Sequence, residues 1–190
     1  MRNIFCVLVL ALAISCPGCT SLDGQSGPAT VKKVTIQDFG ERVTAYVRLR
    51  KSAEDSQAAL KSSKDSAEIE AHKIELASMI ISARSSARQG DIFTPKISAE
   101  FRDIIRKTVQ SPDAQAVRRT VQDKDPEKIV TLRVNGVYPE DNPLQTTSPT
   151  LLGRLPELPA DLGYRFIGRT LVLLDNKSRL IVDFLPDVLP

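Results

Sequence analysis

LGYRFIGRTLVLLDNKSRLIVDFLPDVLP, Leu162 to Pro190, is the densest apolar segment beyond the first twenty residues, and its reading decides the fold. Two apolar runs, Thr170 to Leu174 and Leu180 to Phe184, flank the polar group Asp175 to Arg179, the layout of a β-hairpin with a five-residue loop. Leu180, Val182 and Phe184 alternate onto one face, with Ile181 and Asp183 opposite. Tyr164 and Phe166 alternate around Arg165, and Gly168 marks a bulge or corner. Arg165, Arg169, Asp175 and Asp183 then read as the polar edge of a structural hairpin. Upstream the chain is polar and helical in pattern, so the compact core is expected here.

Working back toward the N-terminus, Pro139, Pro143, Pro149, Pro156 and Pro159 predict an extended, stiff connection over 139–159 that excludes helix. Ile129, Val130, Leu132 and Val134 precede Asn135-Gly136 and suggest a strand that joins the hairpin in one sheet. Ile97, Phe101, Ile104, Ile105 and Thr108 fall on one side of a helix with Ser98 as its N-cap and Pro112 at its end. Asp113 caps a further short helix to Gln122, with Ala114, Val117 and Val121 inward.

Residues 41–89 contain neither Gly nor Pro and are rich in strong helix formers. Tyr46, Ala53, Leu60, Ala67, Ile74 and Ile81 recur every seven residues, but the second column of a coiled coil, which includes Arg50, Gln57 and Lys64, is mostly polar. The pattern favours one continuous or gently kinked helix on the order of 73 Å long. Its alternative is a break at Lys61 to Ser66, with Asp65 capping a second helix and Glu68 three residues on. Arg42, Arg48, Arg50 and Lys51 read as a solvated face balanced by Glu41, Glu54 and Asp55; the sharper alternative is contact with anionic lipid.

At the N-terminus, Met1-Arg2-Asn3 is followed by the apolar run Ile4 to Ile14, too short to span a bilayer and suited to a signal peptide. Gly18-Cys19-Thr20-Ser21 resembles the bacterial lipoprotein junction, in which a cysteine is lipidated and becomes the new N-terminus. The resemblance implies lipidation at Cys19, with Cys16 after Ala13-Ile14-Ser15 as the alternative. Cys6, Cys16 and Cys19 are the only cysteines, so the folded part holds no disulfide. Tyr164 to Arg169, Leu180 to Phe184 with its closing proline, and more weakly Gly90 to Pro95 resemble a family of exported bacterial proteins of unknown function, which implies no activity.

With 26 Lys+Arg against 23 Asp+Glu and a net charge of +3, composition gives no push toward nucleic acid. Aromatic residues are 5% with no Trp, so the core is aliphatic. His72, flanked by Glu68 and Glu75, is the only histidine and matches no metal or triad spacing. There is no G-x-S-x-G elbow, phosphate loop or dinucleotide turn, and Asp175, Asp183 and Asp187 fit loop and edge roles better than a carboxylate pair. No catalytic residue, cofactor or metal ligand is assigned.

The expectation is an α+β chain: signal peptide 1–18, flexible tether 19–34, long helix or helical hairpin 35–90, and a small α+β domain 91–190 with an antiparallel sheet. In function it is an exported, lipid-anchored envelope protein at the periplasmic face, non-catalytic, binding or spacing an envelope protein partner through the long helix. The alternative is a small periplasmic hydrolase with an unrecognised site.

Overall fold

The computed structural model describes residues 28–57, 65–111, 131–139 and 147–189. Three helices, α1 (Pro28–Ser56), α2 (Ser66–Ala83) and α3 (Pro95–Gln110), precede strands β1 (Leu162–Ile167), β2 (Thr170–Asp175) and β3 (Ile181–Leu185). The fold is α+β, with the sheet in the order β1-β2-β3 and both pairings antiparallel. The first twenty-seven residues, with Cys16 and Cys19, lie outside the described residues, as do 112–130, where a short helix from Asp113 to Gln122 was expected.

The long segment is two helices rather than one. Asp65 accepts a hydrogen bond from the Ala67 N–H and starts α2, so a strong local cap outweighs the helical composition around it. Gln57 at the end of α1 donates to the His72 carbonyl and the Glu75 carboxylate, while Tyr46 further back lies under Arg84, so the helices run antiparallel. α1 also begins earlier than expected, at Pro28, and takes in the second half of the predicted tether; proline's fixed φ suits a first helical turn.

α3 is capped by Thr94, with Pro95 in its first turn, not by Ser98. Ser98 is buried inside the helix and donates to the Phe93 carbonyl at 2.8 Å. Ile97, Phe101 and Ile105 present the expected apolar face. Phe101 lies 4.9 Å from Phe39 of α1 and 5.2 Å from Phe93, and Phe39 stacks at 6.5 Å on Tyr164 of β1. Four rings thus join α1, the turn before α3, α3 and the sheet, well beyond the aliphatic core that composition suggested.

The sheet's third strand is β1; of the expected strand 129–135, only 131–135 lies within the described residues. Gly168, at φ +55, makes the tight corner between β1 and β2. Residues 131–134 form no strand; Asn135, at φ +63, turns the chain with Gly136, and only then does Val137 bridge to Leu180. Five of the six residues of β2, the central strand, are buried, which accounts for its unbroken apolar run. One face, with Tyr164, Phe166, Leu171, Leu173 and Val182, packs with α1, α2 and α3. The other gathers Ile167, Val172, Leu174 and Ile181 against Tyr138. A register shift opposite Leu173 and Leu174 breaks the alternation in β3, so Phe184 joins Ile181 and not Val182. In the proline-rich connection, Pro149–Leu152 forms one helical turn, because a proline at the first position favours what it forbids inside a helix.

Candidate functional site

The polar chemistry of the described residues concentrates at a seam between the helix pair and the sheet. Asp175, at the end of β2, is 0% exposed. Its Oδ1 accepts from the backbone N–H groups of Lys177 (3.0 Å) and Ser178 (2.9 Å), which folds the hairpin loop around it. Its Oδ2 accepts from the Tyr46 hydroxyl at 2.8 Å and lies 2.9 Å from Arg50 Nε. That N–H is not directed at the oxygen, so the Arg50 contact is ionic more than a hydrogen bond.

Arg50 was expected on a solvated or lipid-facing side of its helix, and the structure places it at 3% exposure instead. It continues outward from Asp175 to Glu54 (3.0 Å) and Asp161 (3.3 Å), and Glu54 also pairs with Lys177. The hydrogen bond from the Lys177 ammonium holds the Glu54 carboxyl below the usual glutamate range against the opposing effect of burial, with lesser help from the Arg50 guanidinium. Burial, then the adjoining Asp175 charge, pushes the Tyr46 hydroxyl far above the ordinary tyrosine value, so it stays a donor.

Asp183, also 0% exposed, sits in the middle of β3. Its Oδ1 accepts from Gly90 N–H (3.0 Å) and Phe184 N–H (2.8 Å), and its Oδ2 from Ile92 N–H (2.9 Å) and Phe93 N–H (2.8 Å). Gly90, at φ +92, supplies the turn that brings three of these donors together. The Gly90 to Pro95 stretch and the C-terminal hairpin therefore meet at one carboxylate. Arg84 lies between the two acids: it donates to the Val182 carbonyl and the Asn135 side chain at 3.1 Å each, and its guanidinium sits 5.0 Å over the Tyr46 ring.

Neither aspartate is the exposed hairpin edge that alternation predicted. An ionised carboxylate offers about four lone-pair sites; four donors fill them at Asp183, and three donors with the Arg50 cation surround Asp175. An acid so occupied has no position left for a substrate proton or a metal without undoing the fold. The other residues weighed for chemistry do not converge: His72 is half-buried on α2, Asp187 is on the surface against Arg169, and among the described residues no three metal-ligating side chains cluster.

Away from the seam, a cavity of about 590 Å³ opens between the start of α1, the end of α3 and the residues after the Pro149–Leu152 turn. Ile36, Ile104 and Leu155 form its apolar wall, and Lys32, Lys107 and Arg154 stand around it. A second groove of about 320 Å³ runs between α2 and Val137–Pro139, where Ile74 and Val137 are exposed. None of these features had a readable signal, because each joins segments far apart in the chain. No family model, curated protein or solved structure matches the chain.

Proposed function

We propose that the chain is an exported envelope protein, anchored by lipid on Cys19 with Cys16 as the alternative, that binds or spaces a partner and turns over no substrate. The observation that carries this reading is the use made of the two fully buried carboxylates, both of which are spent on tying helices and loops to the sheet. The lipoprotein-like junction at Cys19 supports the anchor. The helix pair supports the binding role: from Ser66 to Ile69, the start of α2 is exposed and carries no core residue.

Labelled fatty acid fed to cells should enter the protein, and Cys19→Ala should abolish incorporation, or the Cys19→Ala/Cys16→Ala double change should. Incorporation that survives both substitutions overturns the anchor. In-cell crosslinking from Lys51 or Glu68 on the exposed helix pair should recover one defined envelope partner, and hydrolysis of an envelope polymer by the purified protein would replace the binding role with the hydrolase.

A further inference from the structure

We infer that the cavity between α1, α3 and Arg154 is a binding site for the phosphate headgroup and upper acyl region of an anionic phospholipid. This deepens the anchored reading and rests on it. Charge comes first: among the described lining residues, Lys32, Lys107 and Arg154 are cationic and none is acidic. Glu100 pairs with Lys32 at 2.5 Å and Asp103 with Lys107 at 2.6 Å. An ammonium carries three protons, so each lysine keeps donors for a second anion. Arg154 is exposed, and its side chain has no partner among the described residues. Its planar fork suits a phosphate. Lys107 also stands at the C-terminal end of α3, where it offsets the partial negative charge of the helix terminus.

The apolar wall supplies the second half of the match. Ile36, Ile104, Leu155 and Pro156 present hydrocarbon beside the three cations, the combination found where a headgroup meets its acyl chains and not what a free inorganic ion requires. Position supplies the third. Eight residues lie between Cys19 and Pro28, a reach of at most roughly 30 Å, and Lys32 follows one helical turn later. A lipid on Cys19 therefore keeps this cavity close to the membrane surface.

The test uses the protein purified from cells, titrated calorimetrically with dihexanoyl phosphatidylglycerol below its micelle threshold, with dihexanoyl phosphatidylcholine and inorganic phosphate as parallel arms. Phosphatidylglycerol should bind, and phosphatidylcholine should bind at least roughly tenfold more weakly. Arg154→Ala and Lys107→Ala, both at exposed positions, should each weaken binding roughly fivefold while leaving the circular dichroism unchanged. Equal binding of the two lipids, phosphate binding as tightly as phosphatidylglycerol, or indifference to both substitutions would overturn the site. Fatty-acid labelling separates the two claims: a labelled chain that ignores phosphatidylglycerol loses the cavity and keeps the anchor, whereas an unlabelled chain that binds it keeps the cavity and loses the anchor.

Discussion

Asp175 and Asp183 are both fully buried aspartates with both carboxylate oxygens occupied, yet they are stabilised by different means. Asp175 draws on two backbone N–H groups and on the side chains of Tyr46 and Arg50, so a charge answers a charge. Asp183 draws on four backbone N–H groups, and Arg84 acts on it only at longer range. The first arrangement joins two preformed elements, α1 and the hairpin loop. The second builds an element, because three N–H groups of the 90–93 turn close on this one carboxylate. Removal of Asp183 should therefore cost local structure as well as energy.

The largest expected effect follows. Asp183→Ala strands four buried or half-buried N–H groups, and at about 1–3 kcal/mol for each unmet donor the loss approaches the whole stability of a domain this size. The variant should fail to show a cooperative thermal transition by circular dichroism; a transition within a few degrees of the parent would break the distinction drawn here.

Arg50→Ala leaves Asp175 with a charge and no cation, and should cost about 3 kcal/mol in urea unfolding. The sharper version pairs Arg50→Met with Asp175→Asn, which removes both charges while an amide oxygen can still accept from Lys177 and Ser178. That double variant should recover much of the loss, since a buried ion pair replaced as a unit is often near neutral. No equivalent rescue exists for Asp183, whose partners are backbone.

The smallest effect lies at the outer end of the seam. Glu54 is held below its ordinary pKa, so the unfolded chain binds a proton that the folded chain does not, and stability rises with pH across that interval. Its contribution is complete above the unfolded value near 4.3 and is lost as pH falls through the lower folded value. Glu54→Gln should cost under about 1 kcal/mol at neutral pH, and the difference from the parent should vanish in acid. A cost unchanged down to low pH would show that Glu54 acts by packing instead.

The hairpin was legible because β2 and β3 are adjacent in sequence and their apolar runs bracket one polar loop. The α3 face was legible for the same local reason: Ile97, Phe101 and Ile105 recur at helical spacing. The break between α1 and α2 was visible in Asp65 but was outweighed by composition, since periodicity cannot say whether a polar stretch continues or folds back. Arg50 and Asp175 were misread because their partners lie more than a hundred residues apart, and each taken alone is an ordinary surface charge. β1 was half legible: Tyr164 and Phe166 alternate around Arg165 and Gly168 marks the corner that follows, but the partner for the hairpin was expected at 129–135. The cationic cavity draws on three separate segments and left no local trace.

The Asp183 contacts also order events in time. The donors at Gly90, Ile92 and Phe93 are synthesised about ninety residues before the acid they close on, and Tyr46 appears well over a hundred before Asp175. As the chain emerges from the ribosome, its helices can pack on one another, but Tyr46 and the 90–93 donors have no carboxylate to close on until the last two strands arrive. A nascent chain truncated just before Asp183 should remain open to protease, and the full-length chain should become resistant in a single late step.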